Sequence, residues 1–251
     1  MQRRYFLSGL GALSACPLCT RRVAAADHEH WSYSGKIGPE HWGGLDKANT
    51  ACSAGSQQSP LDISGSVKAM LPPIGVSWKT GGGRMVNNGH TIQVNVPQGS
   101  ALSRGGSRYE LLQYHFHHPS EHLVEGKRFA MEAHFVHKNI KNDDLGVLGV
   151  LLVPGAVNAT FTQLAAAFPA QAGTEVTVAT VDVNGLLPAT LGYWYYEGSL
   201  TTPPCTENVD WMLAMQSLEV AEADMAKFAV LYPTNARTVK PSNRRLVLSS
   251  L

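Results

Sequence analysis

The chain has 251 residues, of which 44% are hydrophobic and 16% charged, with 24 glycines, 14 prolines and a formal charge of +1. That length suits one or two domains, and it supplies a core without help from disulfides. The near-neutral balance argues against a nucleic-acid partner held by charge, and no apolar run reaches the roughly 18 residues of a transmembrane segment.

Residues 1–26 read as a signal peptide. Arg3 and Arg4 lead into a small, mostly apolar run from Tyr5 to Ala15, and Ala24-Ala25-Ala26 offers a cleavage site. The string Arg3-Arg4-Tyr5-Phe6-Leu7 resembles the twin-arginine signal of exported bacterial proteins, with general export as the alternative route. Leu13-Ser14-Ala15-Cys16 also resembles a lipoprotein box, so lipid anchoring at Cys16 is the alternative to cleavage after Ala26. Either way the expected location is periplasmic or secreted. Cleavage removes Arg3, Arg4, Arg21 and Arg22 and no acid, which leaves the mature chain at −3. The C-x-x-C of Cys16 and Cys19 lies inside the signal and is incidental. Only Cys52 and Cys205 then remain, an even pair that in an oxidising compartment reads as one disulfide, with two buried thiols as the alternative.

Residues 27–251 read as one domain. Residues 28–59, rich in Gly, Ser and aromatic side chains, suggest an irregular arm laid over a core. Short strands punctuated by Gly, Pro and Asn follow: 74–78, 84–87, 91–96, 108–117, 129–137, 147–153, 191–196 and 209–216. Helical pattern is confined to 160–168 and to 219–231, the second with Ser217 as its expected cap. Many strands and few helices predict a mainly β, single-domain protein. No βαβ alternation, phosphate loop or long repeat is present.

Four of the ten histidines fall between Gln113 and His122. On a strand, side chains alternate faces, so His115 and His117 point one way while Phe116 and His118 point the other. Downstream, Glu132 and His134 share a face and His137 has the opposite parity. A hairpin across residues 119–129 would bring His134 beside the first pair. Three imidazoles without a fourth protein ligand suit an open catalytic zinc site, whereas a closed structural site wants four ligands, usually with Cys. Gln113 and Glu132 have the parity to hold the imidazoles' other nitrogens.

At these residues the sequence resembles the α-class carbonic anhydrases. The match runs in order through Trp31-Ser32-Tyr33, Gly38-Pro39-Glu40-His41-Trp42, Gln57-Gln58-Ser59-Pro60, Asn87-Asn88-Gly89-His90 and the two histidine runs. It continues through Val147-Leu148-Gly149, Gly198 to Cys205, Trp211 and Asn235-Ala236-Arg237. The resemblance implies a large, mostly antiparallel, twisted ten-stranded central sheet with a few short peripheral helices. It also implies one Zn2+ at the base of a conical cleft, bound by His115, His117 and His134, with Gln113 and Glu132 behind the ligands. The implied reaction is reversible hydration of carbon dioxide to bicarbonate and a proton, by attack of a zinc-held hydroxide. Thr201 and Glu121 would orient that hydroxide and His90 would shuttle the proton. Cys52 and Cys205 match the disulfide partners of exported members.

Val136, Val147, Leu200, Thr202, Val209 and Trp211 fall at the family's substrate-pocket positions, and Tyr33, Asn88 and Gln93 at positions that order cleft water. His118 stands where many animal members carry Trp and by parity packs away from the metal. The link from His137 to Val147 is short beside those members, which implies a more open cleft rim. His28, His30, His41, His122 and His137 read as structural or solvated, and Lys240, Arg244 and Arg245 as a solvated face. Exported bacterial members often resemble homodimers. Two other functions compete with hydration: a catalytically silent binding module of the same fold, and a zinc esterase. The presence of all three ligands with Thr201, Glu121 and His90 favours the enzyme over the silent module, and an ionised Glu121 can only accept, which leaves the Thr201 oxygen free to accept in turn.

Overall fold

A computed structural model describes residues 31–142 and 144–251. The expected signal peptide, Cys16, Cys19, His28 and His30 lie outside the described residues. Ten strands form the main path of one sheet: β1 (Val67–Lys68), β2 (Gly81–Asn87), β3 (Ile92–Asn95), β4 (Ser107–His117), β5 (Met131–Asn139), β6 (Leu145–Pro154), β7 (Glu175–Val181), β8 (Tyr193–Ser199), β9 (Glu207–Ala214) and β10 (Leu248–Ser249). Their spatial order is β7-β2-β3-β4-β5-β6-β9-β8-β10-β1. Neighbours run antiparallel except at the β6–β9 and β10–β1 joints. The fold is the mainly antiparallel sheet that the sequence predicts. The helices are short: α1 (Trp42–Leu45), α2 (Ala51–Ala54), α3 (Ala159–Ala165) and α4 (Glu222–Leu231). Among the described residues no helix is long and apolar enough to cross a membrane.

The central strands are covered on both faces. Tyr114, Phe116, Ala133, Phe135, Leu148 and Met212 pack on one side, beneath α3 and α4. Val136, Val147, Leu151, Val209, Trp211 and Leu213 pack on the other. Residues alternating along β4, β5 and β6 therefore divide between two apolar clusters. The alternation breaks once, at a bulge where Val136 pairs with Gln113 but His137 pairs with Leu111. Leu112 is the extra residue and is exposed, while Leu111, which shares parity with Gln113, turns into the opposite core.

Two further segments differ from the sequence expectation. Helix α4 starts at Glu222 after Ala221, which makes no side-chain capping bond, and Ser217 is not its cap. Leu218–Val220 pairs in parallel with Leu152–Pro154, so the backbone of the expected first helical turn bonds to the sheet, and Val220 is buried. Strand β7, absent from the expected set, is an edge strand whose alternation Val-Thr-Val-Ala-Thr-Val covers β2. Helix α3 begins one residue early, capped by the Asn158 side chain, which accepts from Phe161 N at 2.9 Å. The arm is more ordered than expected. It holds α1 and α2, and Trp42 packs with the Cys52–Cys205 disulfide, whose Cα atoms are 5.0 Å apart.

Candidate metal centre

The β4–β5 ladder sets the site. Its register pairs His115 with His134 and His117 with Glu132, so the expected hairpin does bring three imidazoles onto one face. One nitrogen from each of His115, His117 and His134 lies within 4.8 Å of the others. Their remaining nitrogens are held from outside. His115 Nδ1 is 2.8 Å from Gln113 Oε1, and His134 Nε2 is 2.7 Å from Glu132 Oε1. His117 Nδ1 donates to the backbone carbonyl of Asn235 at 2.7 Å. These contacts turn His115 Nε2, His117 Nε2 and His134 Nδ1 toward a common point. His117 Nε2 is buried with no hydrogen-bond partner among the described residues, an orphaned lone pair that a cation would satisfy. Three neutral nitrogen donors without thiolate suit zinc with an open position. The residues present fit that metal.

Electrostatics favour the neutral form in two of the three ligands. Desolvation, with the mutual repulsion of His117 and His134, pushes His115 well below the usual imidazole range. Burial likewise lowers His117. Burial also opposes a charge on His134, but the charge of Glu132 and its hydrogen bond outweigh it and raise that imidazole. Glu132 itself is desolvated, yet His122 and His134 together hold its carboxyl well below the usual range.

A layer behind the ligands was only partly legible in sequence. Glu132 Oε2 accepts from the backbone N–H of Glu121 and of His122, at 2.9 Å each, while Oε1 meets His122 Nδ1 at 2.7 Å. His122 is fully buried, and its Nε2 lies 2.6 Å from Tyr196 Oη, which reaches Ser59 Oγ at 3.0 Å. It is structural, as expected, but its structure is that of the metal site. Local spacing gives Asn235 and Tyr196 no such role, because their partners lie more than 70 positions away. The string Asn235-Ala236-Arg237 was the only available signal.

Glu121 is fully buried, and its Oε1 accepts from Arg237 N at 2.8 Å. Its Oε2 lies 3.5 Å from His117 Nε2 and has no hydrogen-bond partner among the described residues. The expected donation from the Thr201 hydroxyl is therefore not made here, although Thr201 is buried. Arg237 is also fully buried, donating to Ser59 O and Cys52 O, and desolvation brings its guanidinium down to about 10.

Most of the residues expected at the substrate pocket lie close together. Val136 pairs with Val147, Val147 with Trp211 and Leu145 with Val209 across three strands, and Leu200 packs on the same cluster. Thr202 accepts from Cys205 N at 2.8 Å and closes the loop after Leu200. His90 follows Gly89, whose φ of +86° favours glycine, and its ring stacks on Trp31 at 3.6 Å and 6°. Asn88 Oδ1 accepts from His90 N and Thr91 N, so it caps its own turn. Gln93 pairs with His115 in the ladder and donates to Asn95 Oδ1 at 2.7 Å. Tyr33 packs edge-on against Trp31 and Trp42, and desolvation with the nearby Glu121 charge raises its phenol. His118 turns away as parity predicts, donating from Nδ1 to Pro233 O at 2.9 Å.

A mainly antiparallel sheet with three imidazoles converging on one face has the donor set of a metal-binding enzyme of the three-histidine class. Comparison with known proteins narrows the class. The sequence profile of the eukaryotic-type carbonic anhydrases matches residues 37–250. The chain is 42% identical to a carbonic anhydrase of Neisseria gonorrhoeae over 92% of each protein. It is 40% identical to one of Nostoc sp. over 93% of this chain and 90% of that protein. The structure of the α-carbonic anhydrase of Thermovibrio ammonificans with the inhibitor sulfanilamide aligns at a TM-score of 0.85 and 41% identity, covering 87% of this chain and 98% of the other. The chain belongs to the α-class carbonic anhydrases and is an enzyme of that family, whose reaction is the hydration of carbon dioxide.

Proposed function

We propose that this enzyme hydrates carbon dioxide reversibly with one zinc ion held by His115, His117 and His134, and with His90 as its proton shuttle. The observation that carries the reading is the convergence of three imidazole nitrogens, each ring fixed from behind by Gln113, the Asn235 carbonyl or Glu132. Zinc, when bound, supplies the Lewis acidity that makes water a nucleophile at neutral pH, for which carbonic anhydrase is itself the standard example. Uncharged nitrogen ligands preserve that acidity, which carboxylates or thiolates in their place would weaken.

The chain's own residues do the rest. Glu121, locked as an acceptor by the Arg237 N–H, keeps Oε2 free for the Thr201 hydroxyl. Once the hydroxyl donates there, the Thr201 oxygen could only accept, and it would orient a nucleophile held at the metal. Val136, Val147, Leu200, Val209 and Trp211 form an apolar wall for a substrate with little charge to grip, and Thr202 borders it. His90, on a turn near the aromatic arm, carries the product proton to buffer, a task suited to the one side-chain type whose unperturbed titration falls near physiological pH. A disulfide between Cys52 and Cys205 supports export to an oxidising compartment, as the signal sequence predicts.

Stopped-flow hydration of carbon dioxide by zinc-replete and chelated protein tests the reading. Activity that follows zinc content is expected. Zinc bound without hydration would leave a silent binding module, and turnover of activated esters alone would leave an esterase.

A further inference from the structure

We propose that Asn235 and Tyr232 are positioning residues for proton transfer, holding the turn that carries His90 at a fixed place relative to the zinc ligand His117. The proposal rests on the reading of His90 as shuttle.

Asn235 is fully buried, and each of its side-chain and carbonyl groups has a partner on one of two elements. Its Nδ2 donates to His90 O at 3.0 Å and to Phe116 O at 3.0 Å. Its Oδ1 accepts from His118 N at 2.7 Å, and its backbone carbonyl accepts from His117 Nδ1 at 2.7 Å. One residue thus ties the end of the His90 turn to the ligand strand and to a ligand ring.

Three residues earlier, the Tyr232 hydroxyl donates to Asn87 Oδ1. Asn87 begins the turn, and the same oxygen accepts from Gly89 N at 3.2 Å. The segment 232–235 therefore clamps both ends of the Asn87–His90 turn. Gly89, at φ +86°, lets the turn bend and offers little stiffness of its own. Proton transfer over a fixed path is sensitive to donor placement, and errors of about 1 Å cost as much as a hundredfold. A clamp made of side chains from a distant segment has a clear use here.

The test compares Asn235→Ala, Tyr232→Phe and His90→Ala. In dilute buffer, kcat should fall about tenfold for Asn235→Ala and less for Tyr232→Phe. For Tyr232→Phe, kcat/KM should stay within about twofold of the parent, and in both variants added imidazole should restore kcat. Zinc affinity, read by chelator competition, should not change in Tyr232→Phe, whose hydroxyl bonds the turn and not a ligand. In the metal-free protein, the ring-current shift that Trp31 imposes on the His90 ring protons should shrink in both variants.

In Tyr232→Phe, a parallel fall in kcat/KM without imidazole rescue, or a loss of zinc affinity, would overturn the proposal in favour of a purely structural role. Unchanged kcat would overturn it outright. If His90→Ala turns over at the parental rate in dilute buffer, the shuttle reading itself fails and the positioning proposal falls with it. If Asn235→Ala does not fold, Tyr232→Phe decides alone, because it removes one half-buried hydroxyl.

Discussion

At the residue scale, Thr201 and His137 show how burial assigns a side chain its work. Thr201 is buried, and Glu121, the carboxylate proposed to take its proton, is buried with one oxygen satisfied and one without a hydrogen-bond partner among the described residues. Thr201→Ala should leave zinc affinity unchanged and lower kcat/KM for hydration by about a hundredfold, the usual scale for one oriented polar group at a reacting centre. Undiminished hydration would remove Thr201 from the mechanism. His137 has a different task. It is fully buried on the opposite face and accepts from Trp78 Nε1 at 3.3 Å, and desolvation lowers its pKa to about 4. An unfolded histidine titrates near 6.5, so between those values the unfolded chain binds a proton that the fold refuses. Above pH 6.5 both states are neutral and the residue leaves stability unchanged. Its destabilisation grows as pH falls through the window and reaches about 3 kcal/mol below pH 4. His137→Gln keeps an acceptor for Trp78 without a proton site. From pH 7.5 to 5 it should lose about 2 kcal/mol less than the parent in urea denaturation, and parallel losses would show that His137 already titrates freely.

At the scale of elements, the site depends on β4, β5 and β6 staying in register with room for a carboxylate between them. His134 pairs with Gly149 across β5 and β6, and a Cβ there would stand 2.8 Å from Leu213 Cδ1 and 3.2 Å from Glu132 Oε1. Gly149→Ala should therefore displace Glu132 from behind His134. It should cost about 1–3 kcal/mol by overpacking. Zinc affinity should drop by about 10–100-fold, as for other losses of support to a metal ligand. Chelator competition checks this, and parental affinity would mean the sheet absorbs the methyl. The same strands explain what was legible beforehand. Period-two alternation at 113–117 and 132–134 was enough to set three imidazoles on one face, because a ladder admits no other parity. The bulge at Leu112 was not legible, since nothing in Leu111-Leu112-Gln113 distinguishes the unpaired residue. Ser217 failed as a cap because a parallel pairing claimed the backbone first, and Asn235 went unassigned because its partners lie some 118 positions away.

At the scale of the whole molecule, distant segments converge behind the cleft. Arg237 bonds to the carbonyls of Cys52 and Ser59 at 2.9 and 2.8 Å, and the disulfide joins the arm to the loop that follows Thr201. The bridge spans 153 positions, a loop for which chain entropy gives at most about 5 kcal/mol of stabilisation. Cys52→Ser with Cys205→Ser should lower the urea midpoint accordingly, most of the loss arising from a less restricted unfolded chain. The catalytic loop has closures of its own that contain no sulfur: Leu200 N donates to Thr206 O at 2.9 Å and Cys205 N to Thr202 O at 2.8 Å. Hydration by the double variant, measured well below its midpoint with zinc present, should then remain within a fewfold of the parent. If activity is lost while the fold persists, the bridge holds Thr201 in place directly. If neither stability nor activity changes, the arm is anchored by Arg237 and Trp42 alone.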